Sequence, residues 1–464
     1  MTRTGVWLAM AGCCLWMACS GDDDSPPVEP GSPATDPPGE ASAPLTYWAD
    51  MAPLFADHCM RCHRDGGIAP FRLDDYAQAK SFSTLIAHVT RERTMPPWSV
   101  TSDGSCGEFA NSEALNDDEI ERIAKWADSG AAEGTRREIT VPAVSSLPNA
   151  REFKTPDFFP EIQGGALAET DEYRCFELDA PQGPTSFITG YDVVPGNPEI
   201  VHHVVVMLVD PNAPAELEES SKLTNEQQMR VLDEESPDRD GWPCFGMAGD
   251  GLTVAAQPVV WAPGQGVVEY PNDSGVPLRP EYKIIVQVHY NLADPQSRGT
   301  RDQTTVRLRI EPEVKNVGLF ALQDQLLDTL FDDEPVTLPP GKSSTLFTWS
   351  ASGREIGLDS LPEAQLYGVM PHMHQLGRKY KMTVSDTTAP EQCAANVDNW
   401  DFHWQRMYFY AEPMIIKPNT RLSVTCDYDT SSVQLPVKPG WGTHNEMCLA
   451  TLFFTVPTSV YEAM

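Results

Sequence analysis

The sequence predicts a multidomain protein in which a small all-α domain precedes a longer, antiparallel β region. Apolar residues recur at helical spacing between about residues 45 and 135, as at Met51, Leu54 and Phe55. From about residue 150 the period changes to two, and clusters of Pro, Gly and Asn separate the apolar runs. Many strands at short spacing, without alternating helices, favour β-sandwiches over a parallel sheet.

The same patterns set the expected boundaries. Asn116 begins a helix with acidic residues in its first turn. Five alternating runs are predicted strands, at residues 200–209, 282–291, 304–310, 380–384 and 421–428. The β region is large for one sandwich, so we divide it near Glu311 into residues 150–310 and 311–464, after a linker at 137–149.

The chain of 464 residues is strongly acidic, with a formal net charge of −34. Such a charge repels a phosphate backbone, and no basic run offsets it. The composition therefore excludes nucleic acid as a partner, and the excess of acidic residues favours solubility.

Residues 1–19 resemble an export signal, in which a short basic start precedes an apolar stretch too short to cross a bilayer. The residues around Cys19 resemble a bacterial lipobox, with Cys13 as a second candidate and a plain cleaved signal peptide as the alternative. Residues 20–44 are rich in Pro and Asp and predict a disordered tether. We expect an exported protein, in the bacterial periplasm or anchored to the outer membrane, that meets the membrane only through a lipid on Cys19.

A haem-attachment motif opens the helical region. Cys59, Cys62 and His63 form a C-x-x-C-H sequence. Two thiols at this spacing reach the two vinyl groups of one haem, and the adjacent histidine falls on the iron. A zinc half-site or a redox C-x-x-C pair is the alternative. The exported, helical context favours one covalent c-type haem.

The second axial ligand of that haem is predicted from a rigid loop. Met95 precedes two prolines, which fix such a loop, and its thioether would raise the haem potential. His58 and His88 compete, but His58 adjoins the attachment site and is poorly placed to reach the far face. Residues 45–136 resemble class I cytochromes c, which implies His63 and Met95 as the axial pair.

Histidines on three predicted strands have the spacing of metal ligands. His372 and His374 lie two residues apart, so on a strand they point to one face and can chelate one ion. His202 and His203 are adjacent, so they can share an ion only where the strand twists or ends. His289 would complete that second site.

Met447 adds a soft thioether, which suits Cu(I) better than zinc. One histidine pair alone would be explained as a satisfied buried pair. Three groups on separate strands, with a methionine, favour copper. Zinc hydrolysis is a weaker alternative, because the sequence contains no H-E-x-x-H motif.

The order of these motifs resembles that of the ascorbate-dependent type II copper monooxygenases, the family of dopamine β-monooxygenase and peptidylglycine α-hydroxylating monooxygenase. The resemblance spans about residues 150 to 456 and rests on motifs at 202–203, 287–290, 372–377 and 446–448. It implies two antiparallel β-sandwich, jelly-roll-like copper domains, with the coppers facing each other across an open cleft. Together with the helical region, the expected fold is a small all-α cytochrome c domain followed by these two domains.

The resemblance also implies two ligand sets. An electron-donating copper would be bound by His202, His203 and His289. The copper that meets dioxygen would be bound by His372, His374 and Met447, which are the implied catalytic residues. The family inserts one oxygen atom into an unactivated C–H bond. Dioxygen, a small organic substrate and an external electron donor are therefore the expected partners.

Two positions depart from the peptide-amidating branch of the family. That branch has an arginine where this chain has Met370 and a tyrosine where it has Thr451. The arginine grips a substrate carboxylate, so a glycine-extended peptide is a doubtful substrate here and the pocket is expected to be more apolar.

Cysteines outside the signal and the haem motif are expected to pair in an oxidising compartment. The family resemblance implies the pairs Cys426–Cys448 and Cys175–Cys244, and it leaves Cys106 and Cys393 unassigned.

The leading functional hypothesis is a monooxygenase whose fused haem relays electrons to copper, since a tethered donor acts at high effective concentration. The alternative is a non-catalytic electron-transfer or copper-binding lipoprotein. An electron-transfer copper normally carries a thiolate ligand, whereas His372, His374 and Met447 offer two nitrogens and a thioether.

Overall fold

The computed structural model describes residues 44–463, except for residues 68, 99, 111, 142–145, 164–169, 216–222, 245–247, 264, 333, 387–388, 403 and 441–443. The predicted signal and nearly all of the predicted tether lie outside the described residues. Within the described ranges, no helix is long and apolar enough to cross a membrane.

The first part of the described chain is helical, as the periodicity predicts. It contains a π-helical turn at Tyr47–Met51, α1 (Ala52–His58), α2 (Tyr76–Ser81), α3 (Ser83–Arg91) and α4 (Asp117–Asp128). Asn116 caps α4: its side chain accepts from the Glu119 amide while the Glu119 side chain accepts from the Asn116 amide. The predicted start of this helix is therefore confirmed. Phe55 and Trp126 are fully buried in the core between the helices.

Between α3 and α4 the chain leaves the helices and packs against the C-terminal β region. Trp98 joins the hydrophobic core of that region. Phe109 pairs with Tyr410 in an antiparallel bridge, and a disulfide joins Cys106 to Cys393. The two cysteines that the sequence leaves unassigned are thus one cross-link between the helical and β regions.

The β region begins with ten strands. They are β1 (Ala150–Lys154), β2 (Asp171–Asp179), β3 (Ser186–Val194), β4 (Val201–Val209), β5 (Trp242–Pro243), β6 (Ala256–Trp261), β7 (Val268–Glu269), β8 (Ser274–Leu278), β9 (Lys283–Asn291) and β10 (Thr305–Glu311). A helix, α5 (Asn225–Glu234), lies between β4 and β5.

Eight strands follow in the second half. They are β11 (Asn316–Gln323), β12 (Thr345–Ser352), β13 (Ala364–His372), β14 (Gly377–Asp386), β15 (Ala389–Val397), β16 (Tyr408–Ile416), β17 (Arg421–Tyr428) and β18 (Leu449–Pro457). The short helices and turns are α6 (Gln325–Asp328), Thr329–Phe331, Arg354–Leu358 and α7 (Thr458–Tyr461). All five predicted strands are confirmed, as β4, β9, β10, β14 and β17.

Among the described residues these strands form three sheets. A five-stranded sheet has the order β5-β2-β9-β4-β6, and a four-stranded sheet has the order β12-β17-β14-β15. A nine-stranded sheet, β1-β10-β3-β8-β11-β18-β13-β16 with β7 beside β3, faces both of them. Its two halves join where β8 and β11 pair in parallel. Two sandwiches thus share one sheet. The expected boundary, residue 311, is the last residue of β10, which precedes β11 in the chain.

The two halves also share a hydrophobic core. The core of the first sandwich contains Val204 and Val286, and it includes Met370 and Phe453 from the second half. The Phe453 ring stacks on Tyr270 with the ring centroids 5.0 Å apart. Side chains from both halves therefore hold the two sandwiches together.

Candidate metal centres

The first histidine group lies where β4 and β9 run side by side. His203 is directly opposite His289, and the register shifts between Val201 and His203. This irregularity is the kind that the adjacent histidines require, because a regular strand would point His202 and His203 to opposite faces. One ring nitrogen from each of the three histidines lies within 4.8 Å of the others.

The chemistry of this group fits a cation. Nδ1 of His203 lies 3.3 Å from Nδ1 of both His202 and His289. Burial, followed by the neighbouring imidazoles, lowers the pKa of His203 and His289 well below the usual value. The two rings therefore stay neutral at physiological pH. Three imidazoles with converging nitrogens form a typical site for copper or zinc.

Two residues on β2 complete the surroundings of His289. The Tyr173 ring stacks on the His289 ring, with centroids 4.0 Å apart and planes 9° apart. Oδ1 of Asp171 lies 3.4 Å from Nε2 of His289, and neither atom has a hydrogen-bond partner among the described residues. If Nδ1 of His289 binds a metal, Nε2–H points at this carboxylate, which is the usual arrangement for orienting a metal-binding histidine.

We expect Asp171→Ala to weaken copper binding by the first histidine group by about 10- to 100-fold, as loss of an outer partner of a ligand does. Asp179→Ala is the matched control, because Asp179 lies at the other end of β2 and pairs with Lys283. Competitive copper titration of both variants checks this expectation. Equal copper affinity in the two variants would show that Asp171 does not orient His289.

The second histidine group lies where β13 ends. The rings of His372 and His374 are perpendicular, with centroids 5.0 Å apart. Nδ1 of His372 is hydrogen-bonded to Oε1 of Gln405, and Nδ1 of His374 lies 3.0 Å from the carbonyl oxygen of Asn445. Because both oxygens are acceptors, each Nδ1 carries the proton, and Nε2 is the nitrogen of each ring whose lone pair could bind a metal. Burial lowers the pKa of His372 to about 4, so its ring is neutral at physiological pH.

Met447 belongs to a segment that is hydrogen-bonded to this histidine turn. The preceding carboxylate, that of Glu446, accepts hydrogen bonds from the amides of His374 (2.9 Å) and Leu376 (2.7 Å). The Tyr428 hydroxyl donates to the carbonyl of Met447 at 2.8 Å. Met447 is therefore buried on a backbone that is anchored to the histidine turn. Two nitrogens and a thioether form a donor set that favours copper.

Two disulfides support the elements that carry these groups. Cys426–Cys448 fixes the residue after Met447, and Cys175–Cys244 joins β2 to the segment after β5. Both pairings are those that the resemblance implies, and they are confirmed.

An aromatic ring lies between the two histidine groups. The centroid of Phe402 is 6.2 Å from the ring of His202 and 6.0 Å from the ring of His374. The resemblance to the copper monooxygenases implies an open cleft between the two groups. Here Phe402 occupies part of the space that separates the two groups.

The two positions that depart from the peptide-amidating branch are cross-strand neighbours. Met370 on β13 pairs with Thr451 on β18, two residues before His372. Both side chains are buried, and Oγ1 of Thr451 has no hydrogen-bond partner among the described residues. This pair offers a thioether and one hydroxyl, and it carries no positive charge.

The haem-motif residues line a cavity of about 360 Å³ between the helical region and the β region. Cys59, Cys62, His63 and Met95 all contribute to its walls, whereas His88 is exposed on α3 and is not among the lining residues. Nδ1 of His63 lies 3.0 Å from the carbonyl oxygen of Phe71, which leaves Nε2 free. An apolar cavity with two thiols, an imidazole and a thioether fits a covalent haem.

The sequence motifs do not point to four residues near these groups: Asp171, Tyr173, Gln405 and Phe402. For Asp171 and Tyr173 a pattern was available, because they alternate with Cys175 along β2 and so share a face with a predicted bridge residue. Gln405 and Phe402 belong to an irregular segment before β16 and carry no comparable pattern.

Comparison with known families indicates which class of protein this chain resembles. Residues 330–462 match the family described as copper type II ascorbate-dependent monooxygenase, C-terminal domain. This segment contains His372, His374 and Met447. The match supports the assignment of the chain as a copper monooxygenase, which is an oxidoreductase.

Individual relatives support the same family. The chain is 24% identical to dopamine beta-hydroxylase of Rattus norvegicus, over 67% of this chain and 47% of that protein. It is 25% identical to tyramine beta-hydroxylase of Caenorhabditis briggsae (58% and 42%) and 26% identical to DBH-like monooxygenase protein 2 of Mus musculus (44% and 33%). The matched regions span less than half the length of these relatives.

Proposed function

We propose that this protein is a copper-dependent monooxygenase that hydroxylates a C–H bond of a small organic substrate with dioxygen, using electrons relayed by its own c-type haem. The observation that carries the proposal is the second histidine group, in which His372 and His374 hold Nδ1 against acceptor oxygens, while Met447 follows a carboxylate that is hydrogen-bonded to this turn. Copper held there would supply one-electron chemistry towards dioxygen.

The chain would hold two copper ions with different roles. His202, His203 and His289 would hold an electron-donating copper through their three imidazoles. Tyr173 and Asp171 would fix the ring of His289. His372, His374 and Met447 would hold the copper that meets dioxygen, and Glu446 would keep the backbone of this turn in place.

The helical domain would bind one haem covalently. Cys59 and Cys62 would form the two thioether bonds, and His63 and Met95 would be the axial ligands. A redox-active thiol pair is a poorer explanation of the motif, because burial raises the pKa of Cys59 to about 12 and keeps its thiol protonated.

The substrate would lack a carboxylate at the position that the peptide-amidating branch recognises. Met370 and Thr451 form an uncharged, buried pair beside His372, so nothing at that pair would compensate a buried carboxylate. The proposed substrate class is therefore a small, largely apolar organic molecule.

An exported location accords with three disulfides in the described chain, since such bonds persist in oxidising compartments. We place the protein in the bacterial periplasm or on the outer membrane, with a lipid on Cys19 as its only contact with the bilayer.

The alternative function is that of a non-catalytic copper or electron-transfer lipoprotein. An electron-transfer copper of the usual kind needs a thiolate ligand. The cysteine closest in sequence to the second group, Cys448, is disulfide-bonded to Cys426 and offers no thiolate. This pairing favours the monooxygenase.

Metal and haem analysis of the purified full chain tests the proposed function. We expect two coppers and one haem per chain, with haem that stays attached after denaturation and extraction with acidified acetone. Extraction of the haem by acetone would contradict the c-type assignment. Copper bound without substrate-dependent oxygen uptake, across a panel of small aromatic and aliphatic compounds, would favour the non-catalytic alternative.

A further inference from the structure

The cavity that contains the haem motif is closed by residues of the β region. Besides the residues of the helical domain, its walls include Ala262, Pro263, Gln265, Trp404, Gln405 and Arg406. The first three follow β6 and the last three precede β16. A haem in this cavity would therefore lie directly against the sandwiches that carry the two histidine groups.

Gln405 connects this cavity to the second histidine group in a single step. Its side chain lines the cavity, its Oε1 accepts from Nδ1 of His372, and its Nε2 donates to the carbonyl of Phe402 at 2.7 Å. One side chain thus contacts both the proposed haem site and a proposed copper ligand.

The route from the cavity to the first histidine group is less direct. Gln265 faces the cavity from the first sandwich, but its Nε2 donates to the hydroxyl of Tyr191 at 2.8 Å. Trp261, at the end of β6, pairs with Val204, which follows His203. An electron that took this route to His203 would have to pass along the backbone of β6 and β4.

Several contacts join the helical region to the β region at this position. Arg406, next to Gln405, forms an ion pair with Glu113 at 3.1 Å, and Glu113 also pairs with Arg61 inside the haem motif. The guanidinium of Arg406 lies 5.1 Å from the centre of the Trp98 ring. Together with the Cys106–Cys393 disulfide, these contacts join the wall of the cavity to the segment that carries Gln405.

We propose that the electron from the haem enters the copper centres at the His372–His374–Met447 site, through Gln405, and that Gln405 is a positioning residue for this transfer. The inference rests on the proposed function. In each step one electron leaves a ferrous haem, which becomes ferric, and reduces one Cu(II) to Cu(I). No atom or proton is transferred, and an external one-electron donor of the ascorbate class reduces the haem again.

The test uses the full-length protein with its haem and copper contents measured beforehand. The haem is reduced under anaerobic conditions with one electron equivalent of dithionite, and its reoxidation by Cu(II) is followed by stopped-flow absorbance. Loss of the Cu(II) EPR signal is followed in parallel. We expect Gln405→Leu to slow reoxidation about tenfold, the rate equivalent of one hydrogen bond.

Two further variants, and a reaction that bypasses the haem, test whether the slower reoxidation is specific to Gln405. Gln405→Glu keeps an acceptor oxygen and should retain most of the rate, whereas Gln265→Leu tests the competing route and should not slow the transfer. Direct reduction of copper by excess ascorbate bypasses the haem, so in samples of equal copper content Gln405→Leu should slow it less than it slows haem reoxidation. A purely structural defect at His372 would slow both reactions equally.

The outcomes separate this inference from the proposed function. A chain without covalent haem or without copper would overturn both. With both cofactors present, a wild-type rate in Gln405→Leu would overturn the inference alone. So would loss of the fast phase in His289→Ala together with its retention in His372→Ala, because the electron would then enter at the first histidine group.

Discussion

Met447→His is expected to abolish hydroxylation while copper remains bound. The variant leaves three nitrogens at the second histidine group, which suffice to hold copper, but it removes the soft ligand that favours Cu(I). We expect turnover to fall by more than about 100-fold. This exceeds the loss expected when a residue that only hydrogen-bonds to a metal ligand is removed. Copper content, oxygen uptake and hydroxylated product are the measurements.

The same substitution at Met414 is the matched control, because this methionine lies on β16 and packs against the core of the second sandwich, on a strand that carries none of the proposed ligands. Met414→His should retain turnover if it folds, which thermal unfolding verifies. Full hydroxylation by Met447→His would mean that the mechanism of the copper monooxygenases does not apply to this chain.

His63→Ala should have the opposite dependence on added reductant. Removal of an axial ligand disables the haem as a relay, so turnover supported by a protein electron donor should fall to background. Turnover should return when ascorbate reduces copper directly. His88→Ala is the control, because His88 is exposed on α3 and does not line the haem cavity.

Oxygen uptake and product are measured for both histidine variants, with and without ascorbate. The Met447 variant should stay inactive under every condition, and the His63 variant should recover. If the His63 variant remains inactive although its copper is reduced, the haem has a role other than electron supply.

The sequence was sufficient to predict the elements that depend on local pattern. Apolar runs bounded by turn residues located β4 and β9, alternation located β17, and the capping residues located the start of α4. The pair His372 and His374 followed from spacing along a strand, which determines which side chains share a face.

Contacts between distant segments could not be predicted in this way. The bridge between Cys106 and Cys393 joins residues 287 positions apart, and nothing near either cysteine indicates its partner. The parallel pairing of β8 with β11 extends over only two residue pairs, so it leaves no hydrophobic pattern of its own. Gln405 approaches His372 only because an irregular segment folds back over the end of β13.

The shared core has a thermodynamic consequence. Because Met370 and Phe453 of the second half are buried in the core of the first, neither sandwich can unfold without exposing apolar surface of the other. A ligand that binds only the folded state adds about 2.7 kcal/mol at roughly 100 times its Kd. Copper at either histidine group should therefore raise one common melting transition of both sandwiches, and filling one centre should protect the backbone amides around the other from hydrogen exchange.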